Sequence, residues 1–99
     1  MGKIPSRLQG ILWSASVNQL DLEGDKVYII HQILMYGGFE DIKWLFKTYP
    51  QKTIKEIFVT RPLKVYTKEG FHFVKNYVLD FKGQKLPVGK YVNPFYEHP

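Results

Sequence analysis

Asp25-Lys-Val-Tyr-Ile-Ile-His-Gln-Ile-Leu-Met-Tyr-Gly-Gly-Phe-Glu-Asp-Ile-Lys-Trp-Leu-Phe-Lys-Thr-Tyr49 holds two helical periodicities on either side of one glycine pair. Val27, Ile30, His31 and Leu34 recur at spacings of three and four, as do Phe39, Ile42, Leu45, Phe46 and Tyr49, which places each set on one helical face. Gly37-Gly38 interrupts the run, and glycine enters the left-handed region without a Cβ clash, so the pair is expected to end one helix and turn the chain back. The stretch therefore predicts a helical hairpin.

Toward the N-terminus, Ile4/Leu8 and Ile11/Leu12 are short apolar groups broken by Pro5 and Gly10, which predicts an arm of one or two helical turns. Trp13 is expected to be buried and to pin that arm to the hairpin. Asp21 reads as an N-cap, so the first long helix is expected over about 22–36, with Glu23 and Asp25 at its positive end. Toward the C-terminus, Pro50 forces Tyr49 out of the helical region and ends a second helix over about 39–48. Thr53-Ile-Lys-Glu56 has the capping-box pattern and opens a third, about 52–59. Arg61-Pro62 imposes an extended link, after which Thr67 caps a fourth helix, about 68–80, with Phe71, Val74, Val78 and Phe81 on one stripe and Phe73 and Tyr77 widening it. The expected fold is all-α: four main helices, a short N-terminal arm and an irregular tail. Residues 1–83 would form the domain, and 84–99, with its prolines, glycines, Tyr91, Phe95 and Tyr96, the tail.

Ninety-nine residues, 44% apolar and 16% aromatic, suffice for one domain with a modest core. Cysteine is absent, which removes disulfides, thiolate zinc sites and thiol nucleophiles. The start has no long apolar run after its first charges. Val27 to Tyr36, the most apolar internal stretch, is far shorter than a bilayer span and contains His31 and Gln32. A cytoplasmic protein without a membrane partner is the expectation.

Little in the chain suggests catalysis. The three histidines are scattered, and His31, on an apolar stripe, reads as a hydrogen-bonded core residue before it reads as a catalyst. Asp21, Glu23 and Asp25 alternate like the start of a calcium loop. However, the glycine falls at the fourth place, not the sixth, and Gln32 stands where a bidentate glutamate is required. Glu69 and His72 form one Glu-x-x-His pair with no second copy. Phosphate-loop, zinc-protease and nucleophile-elbow patterns are absent, so the expectation is no enzyme, no cofactor, no metal and no small-molecule substrate.

Charge is unevenly spread: residues 1–42 carry three basic and five acidic side chains, and 43–99 carry eleven and four. A basic half suits solubility, an acidic protein or nucleic acid. For nucleic acid the contacts would be Lys52, Lys55, Arg61, Lys64, Lys68 and Lys75 along the third and fourth helices. The link between those helices is long for a helix-turn-helix, and Phe71, Phe73 and Val74 occupy places where base-reading polar groups belong. For a protein partner, the candidate contacts are Trp44, on the face of its helix opposite the apolar stripe, the exposed edge of the 71–81 helix with Tyr77, and Tyr91, Phe95 and Tyr96.

Leu12-Trp13, Leu20-Asp21, Ile29-Ile30 with Ile33-Leu34, Tyr36-Gly37, Trp44-Leu45 and Tyr49 resemble a family of small helical prokaryotic domains of unknown function, over roughly residues 6–60. Members usually carry an acid after the first tryptophan, where this chain has Ser14. Proteins of that family are often encoded beside nucleotidyltransferase-type toxins of abortive-infection systems. The resemblance thus implies an antitoxin-like or accessory binding role toward a neighbouring gene's product, self-association being the other protein contact. The alternative is a small basic DNA- or RNA-binding regulator using the 52–79 helical pair.

Overall fold

The computed structural model describes residues 4–93. Its fold is all-α, with α1 at Lys26–Tyr36, α2 at Phe39–Thr48, α3 at Gln51–Thr60 and α4 at Lys68–Phe73. A π-helical turn, Val74–Val78, continues α4, and 3-10 turns occupy Ser6–Gly10 and Val88–Lys90. Among the described residues there is no strand, although Tyr66 and Val92 make one isolated parallel bridge. No helix among them is long and apolar enough to cross a membrane.

The hairpin forms, but its glycines act differently from expectation. Gly37 and Gly38 have φ of −76° and −85°, outside the left-handed region. What matters is space. A Cβ on Gly37 would lie 2.6 Å from the Ile33 carbonyl oxygen and 2.9 Å from the Asp41 Cβ, whereas one on Gly38 would meet nothing closer than 3.8 Å. The chain turns this tightly because position 37 has no side chain. Asp41 then caps α2, its carboxylate accepting from the Gly38 N–H at 2.9 Å, and also pairs with Arg7 of the first 3-10 turn.

Three element boundaries depart from the sequence reading. Asp21 does not cap α1: its carboxylate accepts from the Gly24 N–H while Asp25 accepts from the Asp21 N–H at 2.8 Å, and this closed turn delays the helix to Lys26. The Thr53–Glu56 box does not form either, because α3 already starts at Gln51, directly after Pro50. Thr67 does cap α4, accepting from the Gly70 N–H at 3.0 Å. The expected 68–80 helix is α-helical only to Phe73. In the π-turn the Leu79 N–H bonds the Val74 carbonyl, five residues back. This extra residue in the turn buries Leu79 with Phe71 and Val74, leaving Val78 and Phe81 half-buried.

Trp13 does not enter the core; it is 56% exposed, its ring edge-on to Tyr36 at 4.9 Å. The arm is held instead by buried Leu8 and Leu12 and by amides. Gln32, itself buried, donates to the Ile11 carbonyl at 3.0 Å, and Gln9 bonds both Leu12 and Ala15 carbonyls and the Val17 N–H. Residues 12–17 are non-helical, and these side chains satisfy backbone groups there that a helix would have satisfied.

His31 lies at the centre, fully buried on α1. Its Nε2 faces the Arg61 carbonyl at 2.8 Å, an acceptor only, so Nε2 carries the proton and donates; Nδ1 accepts from the Tyr66 hydroxyl at 2.7 Å. Phe58, Phe71 and Tyr91 pack around this pair, with Tyr91 4.9 Å from Phe58 and 4.7 Å from Phe71 between centroids. Burial pulls the His31 pKa down to about 4, outweighing its bond to Arg61. A buried histidine held neutral stabilises the fold fully only above its unfolded pKa of about 6.5, and that stability drains away as pH falls toward 4.

Urea unfolding at pH 7 and pH 4.5 is expected to show a loss of about 2–3 kcal/mol beyond that of a His31→Gln control, which retains only the pH dependence of the other groups. Gly37→Ala is expected to destabilise by about 1–3 kcal/mol because its Cβ meets backbone, while Gly38→Ala stays within about 0.5 kcal/mol; thermal unfolding compares the two.

Candidate functional site

Where the α1–α2 turn faces α4 and the π-turn, the surface opens into a groove of about 330 Å³. Gly37, Gly38, Phe39 and Ile42 form one wall, and Gly70, Phe73, Val74 and Val78 the other, with Leu34 and Met35 of α1 between. Every lining side chain is apolar. The N–H groups of Gly37 and Gly38 are already bonded, to Ile33 and to Asp41.

Two glycines set the groove's shape. Gly37 tightens the hairpin, and at Gly70 the Met35 thioether occupies the space that a Cβ would take. Phe39 belongs to the apolar stripe of α2 by spacing, yet it is 77% exposed, because it is the first residue of α2 and projects beyond the core. Across the groove Phe73 is 59% exposed, its ring tilted against that of Tyr77 at 5.9 Å, and Tyr77 is 70% exposed just outside the lining residues. The described surface thus carries three large aromatic rings beside an apolar groove, the arrangement expected of a docking site more than of a monomer's ordinary surface. Lysines lie over two of those rings: Lys43 Nζ is 5.5 Å from the Phe39 centroid and Lys82 Nζ is 5.2 Å from that of Tyr77.

The structure separates the residues singled out from the sequence. Tyr77 is exposed beside the groove and is not among its lining residues. Trp44 is half-buried against the core and is not among the lining residues. Tyr91 is a correction: it is no surface contact but fully buried, its hydroxyl donating to the Phe58 carbonyl. Burial raises its pKa. Phe95 and Tyr96 lie outside the described residues. Phe39 and Phe73 complete the site and were not among the expected contacts. A hydrophobic residue at the first position of a helix after a glycine pair is the signal that would have pointed to Phe39.

Of the basic candidates, Lys52, Arg61, Lys64 and Lys68 are exposed, on α3, its C-cap, the link and the start of α4. Lys55 and Lys75 are half-buried, Lys55 over the Phe81 ring at 5.5 Å and Lys75 donating to the Asn76 side chain at 3.2 Å. Seven residues, 61–67, separate α3 from α4, against the three or four of a helix-turn-helix, and α4 has six residues before the π-turn. No group of histidine and acidic side chains suited to a metal occurs among the described residues.

The described residues thus form a small all-α domain with an apolar groove beside three exposed aromatic rings. The chain belongs to a family of unknown function, DUF6922, whose model matches residues 8–58. The matched part covers most of the arm, α1, α2 and nearly all of α3, and so one wall of the groove; the wall built by α4 follows it. No curated protein and no solved structure matches the chain.

Because Phe39 and Tyr77 are exposed, Phe39→Ser and Tyr77→Ser are each expected to change stability by less than about 0.5 kcal/mol. Each is expected to lower binding of an apolar fluorescent dye, measured side by side with thermal unfolding.

Proposed function

We propose that this chain is a non-enzymatic protein-interaction module that receives its partner in the groove between the α1–α2 turn and α4. The observation that carries the reading is the set of exposed rings, Phe39, Phe73 and Tyr77, beside an apolar groove. Aromatic anchors around a pocket concentrate binding energy in protein interfaces. A small-molecule site would want a few convergent polar groups to orient its ligand, and the lining side chains supply none. The resemblance to domains encoded beside nucleotidyltransferase-type toxins supports the product of a neighbouring gene as the partner, with this chain in an antitoxin-like or accessory role. Nucleic-acid binding through Lys52, Lys55, Arg61, Lys64, Lys68 and Lys75 draws support from the charge of the second half alone.

Co-expression with the neighbouring gene's product is expected to give one peak in size-exclusion chromatography, and Phe39→Ser with Tyr77→Ser to split it into two. Separate elution of the wild-type pair, or co-elution indifferent to both substitutions, overturns the reading.

A further inference from the structure

We propose that α3, the link after it and the C-terminal segment 84–93 form a cationic face that binds the phosphate backbone of duplex nucleic acid without reading its sequence. The face is separate from the groove, since none of its charged residues is among the lining residues.

The charge of the chain is concentrated there. Residues 51–66 and 84–93 carry six cations, Lys52, Lys55, Arg61, Lys64, Lys85 and Lys90, against one acid, Glu56. The other parts of the chain carry eight cations and eight acids, so the whole net charge of +5 resides in these two segments. Lys55 is half-buried and the other five are exposed. None of the six is in an ion pair among the described residues, whereas Arg7, Lys26 and Lys43 are held by Asp41, Glu23 and Glu40. Within 68–80, by contrast, Lys68 and Lys75 are matched by Glu69 and Asp80, so α4 adds no excess charge.

Tertiary packing makes one surface of segments that are distant in sequence. The Tyr91 hydroxyl donates to the Phe58 carbonyl of α3. Phe81, which leads into the C-terminal segment, stacks on Phe58 and lies under Lys55, its centroid 5.5 Å from the Nζ. Lys52 is three residues before Lys55 and therefore its neighbour on the same flank of α3. The parallel bridge between Tyr66 and Val92 sets Lys64 and Lys90 at matching positions, each two residues before its bridge partner.

Side-chain chemistry selects the occupant. Protein interfaces draw their energy from buried rings and are poor in lysine, and five of these six cations are lysines. The exposed rings of the described surface, Trp13, Tyr36, Phe39, Phe73 and Tyr77, all lie outside both segments. Single strands are held by stacking bases on such rings, so their lack here disfavours a single strand as well. Duplex phosphates require only unpaired cations on adjoining elements, and lysines contact phosphate as point charges that specify no base.

The test titrates the full chain into a labelled DNA duplex of about 20 base pairs and reads fluorescence anisotropy. Binding is expected to be equal for two unrelated sequences and to weaken about a hundredfold between ~50 and ~200 mM salt, as about four phosphate contacts require. Lys52→Glu with Lys64→Glu, and separately Lys85→Glu with Lys90→Glu, should each weaken it about tenfold or more and lower the salt slope by about two. Lys43→Glu with Lys47→Glu makes the same charge change on α2 and should weaken it less than about threefold. All these positions are exposed, so thermal unfolding should shift little. An equal loss from the α2 pair makes binding a matter of net charge and overturns the face. Tighter binding of the single strand overturns the duplex, and tighter binding of polyglutamate replaces nucleic acid with an acidic protein. No binding at low salt overturns the proposal outright. Phe39→Ser with Tyr77→Ser should leave duplex binding unchanged, so this face and the groove can fail separately.

Discussion

The hydrogen bonds of one buried imidazole hold together parts of the chain that have little else in common. His31 comes from the hairpin, and its two ring nitrogens engage the end of α3 through the Arg61 carbonyl and the 61–67 link through the Tyr66 hydroxyl. Tyr66 in turn exchanges backbone bonds with the C-terminal segment, its N–H donating to the Tyr91 carbonyl and its carbonyl accepting from Asn93. Four segments distant in sequence therefore share one polar relay inside an aromatic core, with no buried side-chain polar atom of the described residues left unpaired. An apolar residue in place of His31 would abandon the buried Tyr66 hydroxyl and the part-buried Arg61 carbonyl, and such unmade bonds cost more than made ones contribute.

That relay frames the groove without entering it. Phe71 turns inward to Tyr91 and Phe58, whereas Phe73, two residues on, turns outward to the groove. The π-turn that follows divides the same helix between the two tasks: Val74 and Leu79 go to the core and Tyr77 to solvent. Gly37 sits where a Cβ would meet the Ile33 carbonyl, and Gly70 where it would meet the end of the Met35 side chain. Close approach, to backbone at Gly37 and to a side chain at Gly70, is what these glycines allow.

Aromatic residues show where local pattern and tertiary placement part. Trp13 has the size of a core anchor, but local bonds from Gln9 and a long-range one from Gln32 fix the arm and leave the indole against Tyr36 at the surface. Tyr91 sits in a stretch rich in proline and glycine that reads as a tail, yet a single bridge to Tyr66 carries it into the core. Phe39 lies on the correct stripe of α2, but one position too near the turn to be covered. Helical spacing tells which direction a side chain takes from its own axis, and says nothing of whether another element lies there.

The sequence by itself determined the all-α class, the hairpin at residues 25–49, the proline stops, the cap at Thr67 and the hydrogen-bonded burial of His31. All but the last follow from interactions within a few residues, namely helical period, fixed proline dihedrals and side-chain capping; the burial of His31 was legible from its place on an apolar stripe, while its partners Arg61 and Tyr66 are 30 and 35 residues away. Only the tertiary structure decided the register of the last helix, the burial of Tyr91, the exposure of Trp13 and the existence of the groove. Those depend on which elements meet across the core. A π-turn is selected when five-residue spacing packs better than four, and a groove is the space left where two elements face each other and nothing of the described chain fills the gap.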